Sequence, residues 1–287
     1  MKTHAVILAA GLGKRMKSSL PKVLHPVLGD PSLLWVLRSL PKAVEGAVVV
    51  VHHGKERVEA ALAHWAERGW LPCPVRTVDQ GEPLGTGHAV QRAVSALDEL
   101  GSERVLILCG DVPLLRMETI RILLEHTAGL LAMDLEDPTG YGRILEHPDG
   151  TLAGIVEHKD ATPEQRRIRR ANGGAYVLPW SPLKAALGEL KADNAQREYY
   201  LTDAVVAVAR QMPLHVVPCP PEELLGMNGR TDQALLQALA RDRINRAWME
   251  AGVTFLDPTT TYVGPRVQLG PDGLLEPNVR LEGDVRI

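Results

Sequence analysis

Aromatic residues are scarce in this 287-residue chain: one phenylalanine, five tyrosines and five tryptophans make up 4% of it. A core must therefore be built from Leu, Val, Ile and Ala, a composition that suits helices packed on a parallel sheet. Cysteine is as sparse. Cys73, Cys109 and Cys219 are odd in number, far apart and free of any C-x-x-C spacing. That excludes a disulfide framework and a cysteine zinc site, and predicts a reducing, cytoplasmic location. Neither sign of charge dominates: 32 Lys and Arg against 35 Asp and Glu leave a net charge of −3, with no long run of either sign. The basic stripe that an extended nucleic-acid partner requires is missing. No segment approaches the roughly 18 apolar residues of a membrane span. The apolar stretch after Lys2 is broken by Gly11 and the basic residues beyond it before a signal-peptide core is complete. The histidines show no H-x-x-x-H spacing, and there is neither a G-x-S-x-G elbow nor an evident Cys–His or Ser–His pairing, so covalent catalysis is not expected.

What is present begins with residues 5–25, AVILAAGLGKRMKSSLPKVLH. An aliphatic strand, Ala5 to Ala9, opens into small residues and glycines, then into Lys14, Arg15, Lys17 and Lys22. Such a loop can fold closely around an anion. It is not a P-loop, because Gly11 and Gly13 are only two apart, and it is not a dinucleotide fingerprint, because the third glycine would fall on Met16. Backbone N–H groups at residues 10–14, with Arg15 and Lys22, fit phosphate oxygens. A plain tight turn with solvated cations is the other reading.

Downstream, the periodicity predicts a helix over 31–41, a doubly covered strand over 47–52, a helix over 55–70 and a short strand at 75–78. Gln80-GEPLGTGHAV-Gln91 reads as a second glycine loop entering a helix that runs to Leu100, and Arg104 to Leu114 as another aliphatic strand ending in an acid. Parallel βαβ units follow from this alternation, with both glycine loops and Asp111 on one rim at the carboxyl ends of the strands. A helix at 117–126, strands at 129–135, 151–156, 174–178 and 214–218, and helices at 199–211 and 231–251 complete the reading; 139–144 is a turn-rich connection and 157–170 a charged one.

After Asp257-Pro258 the texture changes. Val263, Leu269, Leu275, Leu281 and Ile287 are spaced by six, and Val267, Val279 and Val285 sit four residues after three of them. Aliphatic residues in fixed phase with a hexad period predict a β-helix with three hexads per coil, cut short because the sequence stops as a new hexad begins.

Asp111 ends a buried strand, where a carboxylate is costly unless it is paired or binds a metal. Asn228 lies just before the late helix. Either could cap a helix; together they offer oxygen ligands of the kind Mg²⁺ takes when phosphates and water supply the rest.

VILAAGLGKRMKSSLPKVLH, QGEPLGTGHAV, LILCGDVPL, DPTGYGRI, GIVEHKDAT, EYYLTD and MNGR occur in this order over about 230 residues, followed by the hexads. In this series the chain resembles the bacterial bifunctional N-acetylglucosamine-1-phosphate uridyltransferase/glucosamine-1-phosphate acetyltransferase family, over its uridyltransferase half and the start of its β-helix. The resemblance implies a Rossmann-like α/β nucleotidyltransferase domain with a mostly parallel mixed sheet over 1–229, a linker helix over 230–252 and the first coils of a left-handed β-helix over 253–287. It implies Mg²⁺-dependent transfer of uridylyl from UTP to N-acetylglucosamine-1-phosphate, for cell-wall precursors. By position it sets Leu8, Ala9, Ala10 and Gly11 against the uridine and its phosphates, Arg15 and Lys22 on the phosphates as the catalytic cations, and Gln80, Gly85 and Thr86 on the uracil. Asp111 and Asn228 become metal ligands, and Gly142, Glu157 and Asn172 contact the sugar.

Three positions depart from the family's pattern. Lys14 stands where threonine is usual, Cys109 where a tyrosine is, and Asn172 is followed by Gly173-Gly174 rather than Thr-Gly, which predicts a looser sugar loop. Acetyl transfer and trimerisation belong to the family's complete β-helix. The first is therefore not expected of these residues, and the second is expected to be weakened. A nucleotidyltransferase for another sugar-1-phosphate and a non-catalytic nucleotide-binding module are the alternatives.

Overall fold

The computed structural model describes residues 1–287. Its strands and helices run, in order, β1 (Thr3–Leu8), β2 (Pro26–Val27), β3 (Asp30–Pro31), α1 (Ser32–Arg38), β4 (Val44–Val51), α2 (Lys55–Glu67), β5 (Val75–Asp79), α3 (Thr86–Arg92), α4 (Val94–Glu99), β6 (Arg104–Cys109), α5 (Met117–Leu124), β7 (Gly129–Asp134), β8 (Arg143–Glu146), β9 (Leu152–Val156), α6 (Pro163–Arg166), β10 (Arg170–Pro179), α7 (Trp180–Gly188), α8 (Leu201–Ala209), β11 (His215–Pro218), α9 (Arg230–Glu250) and four short strands, β12 (Thr254–Phe255), β13 (Tyr262–Val263), β14 (Leu274–Leu275) and β15 (Arg280–Leu281).

The main sheet has the order β11-β7-β10-β6-β1-β4-β5, with β8 and β9 extending from β10. β1 is parallel to both β4 and β6, and β4 to β5, so the carboxyl ends Leu8, Val51, Asp79 and Cys109 lie on one rim. The chain leaves β1 for β4 and β5 on one side and returns on the other at β6. β1 thus flanks the topological switch point, where open α/β sheets bind ligands. β10 alone on this path is reversed, antiparallel to both β6 and β7.

The aliphatic runs are continuous because both faces are covered, with side chains alternating between two cores. Ala5, Ile7, Val49 and Leu108 face one cluster with α1, α2 and α5. Val6, Val48, Val50 and Ile107 face the other with α3, α7 and α8.

Several expectations change in detail. The helix predicted from the second glycine loop to Leu100 is divided at Ala93 into α3 and α4. α7 has no counterpart among the predicted elements; it opens between Pro179 and Pro182, proline is tolerated in a first turn, and Trp180, Leu183, Ala186 and Leu187 bury one face. β10 begins at Arg170, inside the stretch read as a charged connection, because β7 and β8 give its backbone partners there. The turn-rich connection likewise yields to β8 from Arg143.

α9 lies outside the sheet, yet its Leu236 and Ala240 pack on Met16, in the turn after the first glycine loop, and on Val27 and Leu28. Beyond it, Tyr262 and Val263 pair in parallel with Arg280 and Leu281, and Gln268 bridges Arg286 in the same sense, each eighteen residues on. Val263, Val267 and Leu275 are buried together with Val253 and Phe255, while Ile287 is exposed.

This terminal segment is fastened to the sheet domain by Arg266. Its guanidinium holds Asp30 through Nε, at 3.1 and 3.0 Å to the two carboxylate oxygens, and through Nη2 at 2.9 Å. It also lies 3.7 Å from the centroid of the Trp70 ring. Asp30 is 2% exposed, and Arg38 reaches it only at 3.5 Å. Arg266→Met is expected to destabilise the fold by about 3 kcal/mol in urea titration, because it leaves a buried carboxylate without its main counter-charge; Asp30→Asn added to it should recover part of the loss.

Candidate functional site

The loop after β1 is shaped by one glycine and one lysine. Gly13 has φ 56° and ψ 29°, and a Cβ there would stand 2.9 Å from Lys22 Cβ. Only glycine fits both the backbone and the approach. The following 3₁₀ turn, Lys14–Met16, is pinned by Met16, 1% exposed, and leaves Lys14 and Arg15 in solvent. Pro21 and a second 3₁₀ turn, Lys22–Leu24, bring the chain back, so that the Lys22 side chain passes Gly11 and pairs with Asp111 Oδ2.

The second glycine loop starts where β5 ends. Gln80 is 5% exposed; its backbone N–H donates to Val51 O at 2.8 Å and its Nε2 to Gly85 O at 2.9 Å. Gly85, at φ 116°, would place a Cβ 2.6 Å from Tyr199 O. The loop is closed by the segment before α8: Tyr199 N–H donates to Leu84 O, Gly87 N–H to Tyr199 O at 2.7 Å, and Leu201 N–H to Thr86 Oγ1 at 3.2 Å. EYYLTD is therefore the strap that fixes this loop.

Between the two loops lies a cavity of about 310 Å³, lined among others by Leu8, Ala10, Gly11, Lys22, Gln80, Gly85, Thr86 and Asp111. Ala9 turns away into the core, and Arg15 stands outside this lining with no ion-pair partner. Pro83, Cys109 and Glu198 also line it. Glu198 went unassigned in the sequence because a glutamate ahead of a helix has the look of a solvated loop residue. Burial pushes the Cys109 thiol up to about 12, which keeps it neutral and unsuited to attack.

Neither Asp111 nor Asn228 caps a helix. Asp111 is taken by Lys22, and the backbone N–H groups of Asn228 and Gly229 donate to Asp232 Oδ2, both at 2.9 Å. The Asn228 side chain is thereby not used as a cap, and Met227 N–H donates to Asp111 O at 2.8 Å, drawing the two segments together. A Cβ on Gly226 would lie 3.5 Å from Asn228 Nδ2 and 3.6 Å from Asp111 Oδ2. Asn228 Nδ2 donates to Gly226 O, so the amide oxygen is the end left for a ligand. No group of three or more His, Cys, Asp or Glu converges anywhere in the chain. One carboxylate and one amide, beside a lysine, suit a hard divalent ion whose other ligands are phosphate and water.

Gly142, Glu157 and Asn172 form a second cluster. Asn172 N–H donates to Gly142 O at 2.9 Å, and a Cβ on Gly142 would lie 3.5 Å from both Asn172 Cβ and Glu157 Oε2. A register shift in β10 between Asn172 and Tyr176 turns this segment, and Asn172 Nδ2 bonds Tyr176 Oη at 2.6 Å. The cluster adjoins the cavity through Cys109, whose thiol faces Gly174 O at 3.6 Å. The loop predicted to be loose is tight: a Cβ on Gly173 would meet Leu224 Cδ1 at 2.5 Å and Leu131 O at 2.8 Å. The leucine side chain fills the room that a larger residue at 173 would need. Arg143, 1% exposed, ties the edges of the cluster from behind, donating to Tyr141 O, to Arg166 O at 3.3 Å and toward His158 Nδ1 at 3.3 Å.

Residues 5–177 match the profile of the MobA-like NTP transferase domain. The chain is 47% identical to the Bifunctional protein GlmU of Syntrophotalea carbinolica, over 99% of this chain and 61% of that protein. It is 45% identical to the protein of the same name from Alkalilimnicola ehrlichii, over 98% and 60%, and 43% identical to that of Exiguobacterium sibiricum, over 100% and 64%. It thus spans about three fifths of the length of these relatives. Among solved structures, a UDP-glucose pyrophosphorylase complexed with UDP-glucose superposes with a TM-score of 0.66 at 18% identity, over 85% of this chain and all of that one. At that identity the likeness concerns the fold.

Burial, with Asp160, Asp203 and Glu198 nearby, raises the Glu157 pKa, and Thr202 Oγ1, donating to Glu157 Oε1 at 3.0 Å, only partly offsets this. A carboxyl group whose pKa is raised on folding costs stability as pH rises through its folded value. Glu157→Gln should therefore melt higher than the parent at neutral pH, and the gap should close as pH falls through the carboxylate range; a gap independent of pH would remove the ionised carboxylate as its cause.

Proposed function

The chain belongs to the MobA-like NTP transferase domain family, and from that membership and its cleft we propose that it transfers uridylyl from UTP to N-acetylglucosamine-1-phosphate, releasing pyrophosphate. The observation that carries this reading is the convergence of Lys22, Asp111 and Asn228 beside a cavity closed by the Gln80–Thr86 loop at the switch point of the sheet. Relatives named GlmU across nearly the whole chain support it, as does a fold shared with a pyrophosphorylase that binds a uridine diphosphate sugar.

In this proposal the base sits on the second loop. Gln80, held by its bond to Gly85, and the Gly85-Thr86 backbone read the uracil edge, while Leu8, Ala10 and Gly11 carry the ribose and the first phosphates. The absent side chains of Gly11 and Gly13 let phosphate oxygens approach backbone N–H groups. Lys22 exchanges Asp111 for the incoming phosphates, and Arg15, unpaired on its turn, closes on the β and γ groups. Asp111 and the Asn228 amide oxygen would hold a magnesium ion, which when bound neutralises charge on the transferring phosphoryl group.

Gly142, Glu157 and Asn172 take the sugar. Gly142 leaves room for the ring, and the Glu157 carboxylate and Asn172 amide accept and donate to its polar substituents. The chain's task is to hold the sugar phosphate oxygen in line with the α-phosphorus. A new P–O bond forms there as the bond to the β-phosphate oxygen breaks, and pyrophosphate leaves with its electron pair. No side chain is covalently modified, so positioning and charge compensation carry the rate. We assign residues 1–229 to this domain, 230–252 to a linker helix and 253–287 to the first coils of a left-handed β-helix. The eighteen-residue parallel pairing supports the last assignment.

Pyrophosphate release on mixing the protein with UTP, Mg²⁺ and N-acetylglucosamine-1-phosphate tests the reading directly. Efficient turnover only with another sugar-1-phosphate, or with CTP or dTTP, would move the assignment to a different nucleotidyltransferase, and nucleotide binding without turnover would make the chain a binding module. Arg15→Ala and Asp111→Ala should each lower kcat by about two orders of magnitude or more with the fold retained. Near-parental turnover in either would take that residue out of the chemistry.

A further inference from the structure

A second cavity, of about 380 Å³, lies on a different part of the molecule from the nucleotide cleft and shares no lining residue with it. It is bounded by the end of α1, by the segment Pro113–Glu118 that follows Asp111, by Arg243 of α9 and by Pro265 next to the Arg266 fastening. It is lined by apolar Trp35, Pro113, Leu115 and Met117 and by Arg38, Arg116 and Arg243.

Not all of that charge is compensated. Asp30 is held on both oxygens by Arg266, so Arg38 has only a 3.5 Å share of it. Glu223 takes Arg116, at 3.4 Å from Nε, and also accepts from Arg116 N–H and the Thr119 hydroxyl. Arg243 has no carboxylate partner: its Nη1 donates to Leu114 O at 2.8 Å and its guanidinium lies 5.9 Å from the Trp35 ring centroid. The remaining acid on the rim, Glu118, is exposed and forms no ion pair. Two under-compensated guanidinium groups beside an indole and other apolar lining residues make a receptor for an anionic group on an apolar body.

We propose that this cavity is a second ligand site that takes a small phosphate monoester, its phosphate between Arg243 and Arg38 and its apolar portion against Trp35. The site also has a route to the cleft. Pro113 and Leu115 lie two and four residues after Asp111, and Arg243 is bonded to the Leu114 carbonyl between them. An occupant that engages Arg243 thus acts on the segment carrying Asp111.

Phenyl phosphate is a suitable probe, since it has both parts and nothing else. In isothermal titration of the full chain, saturable binding with quenching of tryptophan fluorescence is expected, weakened about tenfold or more in Arg243→Met and in Arg38→Gln. Trp35→Leu should keep the binding but lose most of the quenching. Lys22→Met, which removes the cation of the nucleotide cleft, should leave the affinity unchanged. Arg38 lies at the surface, so Arg38→Gln keeps the test valid if Arg243→Met proves unstable. Binding unaffected by the arginine substitutions, binding lost with Lys22, equal binding of the uncharged benzyl alcohol, or no saturation up to 10 mM would each overturn the proposal.

Discussion

Everything polar that this chain can do is constrained by the burial of β1. The strand has parallel neighbours on both sides and aliphatic cores on both faces; its only polar side chains, Thr3 and His4 at the amino end, are buried with hydrogen-bond partners, and from Ala5 to Leu8 no charged group can be placed without a burial cost. Function is displaced to the one place where the strand's backbone escapes, its carboxyl end. Two loops are built there, each with glycines where a Cβ would strike a neighbouring element, and each is held by a contact far away in sequence. For the first that contact is Met16 against α9, and for the second it is the Tyr199 backbone. The loops are pre-shaped by packing and do not depend on a ligand to order them, which lowers the entropic cost of binding one.

Within that frame the ion pair of Lys22 and Asp111 is a placeholder with a clear chemical logic. Both side chains are largely shielded from solvent, and each would be costly to leave alone. In each other's company they are mutually satisfied, and on the proposed function phosphates and a divalent ion would take their places as partners. Such an exchange would keep local charge close to balanced. The hydrogen bonds to Asp232 likewise keep Asn228 from capping the helix, and its amide nitrogen is engaged by Gly226 O, which leaves only the amide oxygen without a partner.

The strands and the two loops were legible because their signals are local. β-branched runs, glycine pairs and an acid after an aliphatic strand each announce themselves within a few residues. What could not be read is what depends on distant partners. Whether Asp111 pairs or caps is decided by Lys22, 89 residues away, and the fit of Gly173 by Leu224. α7 hid behind two prolines that are harmless only in the context of a first turn. Glu198 needed the strap at Tyr199 to bring it to the cavity, and no composition rule separates it from an ordinary surface glutamate. The cluster of Gly142, Glu157 and Asn172 depends on the irregular pairing of β10, a feature of register that sequence patterning does not encode.

The grip of Arg266 on Asp30 has a consequence for how the molecule is made. The two residues are 236 apart, and until the later one has left the ribosome the hairpin at 26–31 contains a carboxylate with only a weak claim on Arg38. That hairpin follows directly on the Lys22 turn, so the piece of chain that shapes the first glycine loop reaches its final packing only once Arg266 is available. Joining residues 236 apart is a longer and entropically costlier closure than pairing β1 with β4 or β4 with β5. The packing beside the first glycine loop thus waits on a residue far from it along the chain.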